Sequence, residues 1–151
     1  MIRYATEEDI PRLLDLGEEF ASTLERLPKG TSFSREDVEK VVRHLINSDG
    51  SCILVYEKDD IIIGILGGEL LPLYFCPQAK NAMEHFFFVT EKARSEGAGD
   101  KLMEAFIYWG KEMGAVSVIM VSMNVSTTTH SKEVFEKHGF KDFETAYKKD
   151  F

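Results

Sequence analysis

Two glycines between an aromatic strand and an amphipathic helix constrain this chain more than any other feature. Residues 86–89 (Phe-Phe-Phe-Val) predict a buried strand, and residues 97–113 have the apolar spacing of one helix face. Between them, Gly97 and Gly99 lack a Cβ atom, so the backbone there can turn sharply and approach a ligand closely. The amides at the helix start would then converge on one concavity suited to an anion such as a pyrophosphate. The alternative is that the glycines only let the chain turn.

The rest of the hydrophobic pattern predicts one α/β domain over residues 1–151, in the order β-α-α-β-β-β-α-β-α-β. The two N-terminal helices are amphipathic and begin at the caps Thr6 and Ser34. Residues 71–77 are predicted to be a loop, although an unusually apolar one. The predicted strands are 2–5, 52–56, 61–71, 83–89, 116–123 and 140–147, and the last helix is 131–137.

Composition excludes several classes of function. The chain has 26 acidic and 18 basic residues, a net charge of −8, which argues against binding to nucleic acid. It has no run of about 20 apolar residues and no signal-peptide pattern at its start, so we expect a soluble cytoplasmic protein without membrane contact. Cys52 and Cys76 form no CxxC motif and are expected to be free thiols. The four histidines show no metal-ligand spacing, so no metal is expected.

Two motifs together resemble a known family. Arg94-x-x-Gly97-x-Gly99 behind the aromatic strand, followed later by residues 135–140 (Phe-Glu-Lys-His-Gly-Phe), is similar to the GNAT superfamily of acetyl-CoA-dependent N-acetyltransferases. The order of elements extends this resemblance over nearly the whole chain. It implies a mixed, largely antiparallel sheet of six to seven strands with about four helices. It also implies transfer of an acetyl group from acetyl-CoA to a primary amine, without a covalent enzyme intermediate.

The resemblance further implies where acetyl-CoA would bind. The pantetheine arm would lie in a gap between the strand that ends at Val89 and strand 116–123. The pyrophosphate would be held by the amides of the glycine turn. The cofactor-binding residues implied in this way are Phe87, Phe88, Val89, Arg94, Ser95, Glu96, Gly97, Ala98, Gly99, Asp100, Lys101 and Asn124.

Acyl transfer to an amine requires a group that removes a proton and a donor that stabilises an oxyanion. Glu84 and His85 are the titratable residues just before the predicted splay, and strand alternation sends them to opposite faces. We favour Glu84 as the base, with His85 as the alternative and a merely structural role open for both. The amide of Phe88 or Val89 is the predicted oxyanion donor.

One position departs from the family pattern. Many members have a tyrosine in the last helix that protonates the departing thiolate, and here that position is Phe135. A thiol with a pKa of about 8.5 leaves tolerably well without help, so the reaction does not require that acid. His130, Ser131 and His138 are nearby alternatives. The departure also keeps open a non-catalytic acyl-CoA-binding or protein-interaction module.

The acceptor is predicted to be a small-molecule or peptide amine. Phe33, Tyr74 and Phe75 are the candidate substrate-binding residues, although aromatic residues more often cover a core. Residues 1–100 carry the whole net charge of −8, whereas residues 101–151 are balanced, which favours a cationic acceptor. A homodimer is compatible with the resemblance.

Overall fold

The computed structural model describes residues 1–24, 30–122 and 131–151. In those ranges, no helix is long and apolar enough to cross a membrane. The strands are β1 (Ile2–Tyr4), β2 (Ser51–Lys58), β3 (Ile61–Leu73), β4 (Cys76–Val89) and β5 (Ser117–Ile119). The helices are α1 (Ile10–Thr23), α2 (Arg35–Asn47), α3 (Glu91–Arg94), α4 (Ala98–Glu112) and α5 (Ser131–Lys137), with a short 3-10 helix (Glu7–Asp9) before α1.

The five strands form one sheet in the order β1-β2-β3-β4-β5. Neighbouring strands are antiparallel except β4 and β5, which run parallel. Helices α1 and α2 cover one face and pack on Ile53, Val55 and Ile65. Helix α4 covers the opposite face with Leu102 and Phe106. The predicted mixed, largely antiparallel α/β architecture is therefore confirmed.

The helix ends follow the local sequence signals. The Oγ of Ser34 accepts the N–H of Asp37 at 3.3 Å, which satisfies one free amide of the first turn of α2. Before α1, the N–H of Thr6 donates to the Asp9 carboxylate at 2.8 Å. Gly114 follows α4 with φ +75°, the left-handed conformation that ends many helices. The predicted cap at Ser34 is confirmed, whereas Thr6 begins the short 3-10 helix and the N-cap of α1 itself is Asp9.

Strand β4 contains a β-bulge near its middle. Gly67 of β3 pairs with Phe86, but the next residue, Gly68, pairs with Glu84, so His85 is an extra residue on β4. A bulge reverses the phase of alternation. The side chains that follow the bulge therefore point to the opposite face of the sheet from the one they would occupy in an uninterrupted strand.

The packing beyond the bulge shows this reversal. Phe88 lies in the core under α1 and α2, whereas Val89 lies in the core under α4. Opposite the bulge, a Cβ atom on Gly68 would clash with the carbonyl oxygen of Met83 and would lie 2.6 Å from the ring of Phe106. Only a glycine lets the backbone and α4 approach so closely at this point.

The apolar segment 71–77 is not the loop predicted from the sequence. Strand β3 continues to Leu73 and β4 begins at Cys76, so the two strands form a long hairpin whose tip is Tyr74 and Phe75. Pro72 and Pro77 are accommodated toward the end of this hairpin, where the register shifts beside Pro72.

The strand predicted for residues 140–147 is also absent. The segment has no ladder partner in the described residues, and the side chains of Phe143 and Tyr147 are 72% and 94% exposed. An alternating pattern indicates which face of a strand would be buried. A strand forms only where a neighbouring strand is available to pair with it. The described sheet thus has five strands rather than six to seven. The described residues contain five α-helices rather than four, because α3 forms within the segment predicted to be only a turn.

Candidate active site

Strands β4 and β5 separate to form a fork. They pair only where residues 81–83 lie beside residues 117–119. Beyond this point β4 continues to Val89, still paired with β3 on its other side. Among the described residues, the last six residues of β4 therefore have no neighbouring strand on the side of β5 and border a gap there, where the family resemblance implied one.

The register decides which main-chain groups face this gap. The N–H of Thr90 donates to the carbonyl oxygen of Ile63 at 3.0 Å, and antiparallel residues alternate between bonded and non-bonded pairs. Phe88 consequently bonds toward β3, whereas the main-chain groups of Phe87 and Val89 face the gap. Of the two amides proposed as oxyanion donors, the one on Val89 is directed there and the one on Phe88 is not.

Glu84 lies where the two strands separate. It is only 8% exposed, the one charged residue so buried in the described ranges. Its Oε2 accepts the N–H of Val121 at 2.9 Å, just after β5 ends. Burial raises the pKa of Glu84 above its usual range, while the N–H of Val121 and the charge of nearby His85 oppose the rise. A buried carboxyl group with a raised pKa is suited to accept a proton near neutral pH.

His85 has a different partner. Its Nε2 lies 2.7 Å from Oε1 of Glu69, and the two side chains are 36% and 28% exposed. Alternation from Ile65 along β3 places Glu69 on the face of α1 and α2, and alternation from Ala82 places Glu84 on the face of α4. The predicted separation of Glu84 and His85 onto opposite faces is thus reproduced. The sequence reasoning missed Glu69.

The glycine turn begins α4. Gly97 occupies the N-cap position with φ +72°, and in the described part of the chain no side chain caps the helix. The amides of Ala98, Gly99 and Asp100 belong to the first turn, where no intrahelical acceptor exists. A Cβ atom on Gly99 would lie 3.5 Å from Cζ of Phe87, so the start of the helix packs beside the end of β4. The turn and the gap are therefore neighbours.

Charged side chains surround this turn. The Nε of Arg94 donates to the carbonyl oxygen of Val89 at 3.2 Å, which ties α3 to the end of β4. Glu96 is paired with Lys58 at 2.8 Å, and the Nζ of Lys101 lies 5.4 Å from the centre of the Tyr56 ring. Ser95 is exposed between Arg94 and Glu96. These side chains flank the helix start without capping it.

Asp100 is engaged by the end of α5. Its Oδ1 accepts hydrogen bonds from Nε2 of His138 at 2.7 Å and Nζ of Lys137 at 3.3 Å. The hydrogen bond from His138 is the main reason that the pKa of Asp100 lies below its usual range. Phe135 is half-buried, and its ring centre lies 5.5 Å from that of Phe140.

The predicted acceptor-binding residues do not come together. Phe33 packs against α1, where a Cβ atom on Gly17 would lie 3.2 Å from its Cζ. Tyr74 and Phe75 form an edge-to-face pair with ring centres 5.2 Å apart, at 91% and 93% exposure. They lie at the hairpin tip, roughly 30 Å along β4 from Glu84 at about 3.4 Å per residue. Tyr74 and Phe75 therefore do not line the fork between β4 and β5.

Two residues named from the sequence, Asn124 as a cofactor-binding residue and His130 as an alternative acid, lie outside the described residues. Within the ranges that are described, no group of three or more histidine, cysteine or acidic side chains is placed to hold a metal ion. Cys52 is buried, which raises the pKa of its thiol to about 12, and Cys76 is exposed.

Comparison with known proteins adds a family and a fold. A family model described as the acetyltransferase (GNAT) family matches residues 15–140. No curated protein sequence matches the chain significantly.

Solved structures match the fold over almost its full length. A predicted acetyltransferase from Clostridium acetobutylicum, determined with acetyl-CoA, has a TM-score of 0.79 at 14% identity, with 99% of this chain and 95% of that one covered. An aminoglycoside acetyltransferase from an uncultured soil metagenomic sample, in complex with sisomicin, has a TM-score of 0.75 at 20% identity, with 100% and 95% covered. A transcriptional regulator from Bacillus halodurans C-125 has a TM-score of 0.77 at 21% identity, with 100% and 99% covered.

Proposed function

The chain belongs to the acetyltransferase (GNAT) family, and from that premise we propose that it is an N-acetyltransferase that moves an acetyl group from acetyl-CoA to a primary amine. The observation that carries the proposal is the fork between β4 and β5, with the buried carboxyl group of Glu84 where the strands separate. A structural neighbour was determined with acetyl-CoA, and it has the same fold.

The described residues fit acetyl-CoA. The main-chain N–H of Val89, which faces the gap, is suited to a carbonyl group of the pantetheine arm, whereas the carbonyl oxygen of Val89 already accepts a hydrogen bond from Arg94. The amides of Ala98, Gly99 and Asp100 are suited to the pyrophosphate, because a helix N-terminus attracts anions. Gly97 leaves that approach open, since no heavy atom lies within 4 Å of the position of its Cβ. Acetyl-CoA supplies the acyl group as an activated thioester.

The chain's own groups then have three tasks. Glu84 removes a proton from the incoming ammonium group, directly or through a water, because a lysine-like amine has a pKa of about 10.4 and must be neutral to attack. The N–H of Phe87, which faces the gap, donates to the carbonyl oxygen as negative charge develops there, because Val89 lies about 17 Å along β4 from Glu84 at about 3.4 Å per residue. The N–H of Val121 holds the Glu84 carboxylate in place at 2.9 Å.

The departing thiolate needs no dedicated acid in this proposal. Phe135 has no proton to give, and Nε2 of His138 is engaged with Asp100. A thiol with a pKa of about 8.5 leaves as its thiolate without prior protonation. We therefore assign direct transfer with solvent protonation of the thiolate.

The test is a screen of primary amines with detection of the released thiol. We expect turnover with at least one amine, and we expect acetyl-CoA alone to raise the melting temperature. Glu84→Gln should abolish most turnover while acetyl-CoA still raises the melting temperature. Absence of any stabilisation at millimolar acetyl-CoA would refute the proposal.

Phe135 supports a second candidate, a module that binds acyl-CoA or a protein partner without catalysis. A structural neighbour with the same fold is described as a transcriptional regulator. This candidate predicts stabilisation by acetyl-CoA without thiol release for any amine. Turnover that depends on Glu84 would refute it.

A further inference from the structure

Glu69 and His85 form a hydrogen-bonded pair beside the fork that the proposed reaction does not use. Oε1 of Glu69 lies 2.7 Å from Nε2 of His85. A carboxylate only accepts hydrogen bonds, so Nε2 carries the hydrogen. The pair joins β3 to the bulge of β4, next to Glu84 in sequence. It is therefore a fixed carboxylate close to the proposed base.

One oxygen of that carboxylate is unpaired in the described ranges. Oε1 is held by His85, whereas Oε2 has no hydrogen-bond partner among the residues that the structure describes. The Glu69 side chain is 28% exposed, so a ligand in solution can reach it. Two other acidic side chains of low exposure, Asp9 and Glu57, are each paired with an arginine. In the described ranges, no lysine or arginine forms an ion pair with Glu69.

The face on which Glu69 lies is the face from which an acceptor would arrive. The glycine turn and α4 lie on one side of the sheet, so the proposed donor enters the fork from that side. The acceptor must then approach from the side of α1 and α2. Glu69 and His85 lie on that side, by alternation from Ile65 in β3.

We propose that Glu69 selects the acceptor: its free oxygen binds an ammonium group of the acceptor other than the amine that is acetylated, and His85 holds the carboxylate in position. The substrate class is then a molecule with at least two amino groups, such as a diamine or polyamine. This inference rests on the proposed function, because it assumes that the fork is the site of acetyl transfer. Glu84 and Glu69 lie on opposite faces of the sheet, so an acceptor that enters from the side of α1 and α2 would extend its reacting amine through the fork toward Glu84 and leave its second ammonium group at Glu69.

The experiment compares matched acceptors in matched variants. The acceptors are 1,4-diaminobutane and 1,6-diaminohexane against n-butylamine and n-hexylamine, with kcat/KM measured by thiol release. The variants are Glu69→Gln, which removes the charge, and Glu69→Asp, which keeps it. Glu36→Gln is the control, because it removes an exposed partner of Lys40 on α2 in the same way.

In the wild type and in Glu36→Gln, we expect the diamine of each pair to be preferred. Glu69→Gln should reduce the diamine-to-monoamine ratio of kcat/KM roughly fivefold, as expected for one partly exposed charged hydrogen bond. Glu69→Asp should retain part of the preference. An unchanged ratio in Glu69→Gln, or an equal loss for diamines and monoamines together with a lower melting temperature, would make the pair a structural contact only and overturn the inference.

A binding measurement separates this inference from the proposed catalysis. Calorimetry with 1,6-diaminohexane needs no turnover. Weaker binding to Glu69→Gln than to the wild type supports the role of Glu69 even if no amine is acetylated, in which case only the proposed function fails. Equal binding to both proteins contradicts the role of Glu69 even if the enzyme is active.

Discussion

Two glycines at opposite ends of α4 allow a matched test of the cofactor site. Gly97 at the start has φ +72°, and Gly114 just after the end has φ +75°. At both positions, no heavy atom lies within 4 Å of the place that a Cβ atom would take. Gly97→Ala and Gly114→Ala therefore introduce the same backbone strain without a clash in the free protein. The two sites are about 26 Å apart at 1.5 Å per residue of helix.

The strain sets the effect on stability. A non-glycine residue in the left-handed region costs about 1 kcal/mol, with about 2 kcal/mol as an upper figure. For a protein of this size, about 1 kcal/mol lowers the melting temperature by about 2–4 °C. We expect both variants to show this decrease, measured by scanning calorimetry, because neither new methyl group meets a neighbour.

Binding of acetyl-CoA should separate the two variants. Gly97 is the N-cap of α4, next to the amides of Ala98 to Asp100, so we expect a methyl group there to hinder the approach of a pyrophosphate to those amides. Losing one hydrogen bond to a charged phosphate costs about 1.5–3 kcal/mol, which weakens binding roughly tenfold to a hundredfold. Titration calorimetry should therefore give a higher Kd for Gly97→Ala and an unchanged Kd for Gly114→Ala. Equal Kd values in the two variants would refute the assignment of the glycine turn as the phosphate site.

Three further predictions concern the base, the core and the acceptor. Because burial raises the folded-state pKa of Glu84, the folded protein retains a proton that the unfolded chain loses, and stability falls as the pH rises through that pKa. Glu84→Gln should thus melt above the wild type at about pH 8 and lose that advantage near pH 4; a lower melting temperature at the higher pH would contradict the cause given for the shift. Phe106 is fully buried and stacks on Trp109 with ring centres 5.3 Å apart, so Phe106→Ala should cost about 3–5 kcal/mol in urea unfolding. The KM of a cationic acceptor should rise with added salt, and a KM indifferent to salt would count against electrostatic attraction by the acidic half of the chain.

The elements that the sequence predicted well are those with a strong period. Helices α1, α2 and α4 bury apolar residues at three- and four-residue steps, and Gly97 and Gly114 mark the ends of α4 as expected. A periodic face identifies a helix without knowledge of its neighbours. The position of the fork followed from the resemblance, and the register of β4 and β5 agrees with it.

The details that could not be predicted depend on partners distant in sequence. The bulge at His85 is fixed by Gly67 and Gly68 on β3, and a pair of glycines within a strand is the signal that could have indicated it. Glu69 is a candidate site residue only because of its hydrogen bond with His85, which lies sixteen residues away in the sequence. The segment 140–147 alternates like a strand but has no described partner. The cytoplasmic location, the single domain and the possible homodimer stay predictions.

The most direct test of the proposed site is an experimental structure with acetyl-CoA bound. We predict the thioester in the fork between β4 and β5, with its carbonyl oxygen near the N–H of Phe87 and Glu84 facing the acetyl group. We also predict the pyrophosphate at the amides of Ala98 to Asp100. An acetyl group outside the fork, or a pyrophosphate away from the start of α4, would contradict the proposed site.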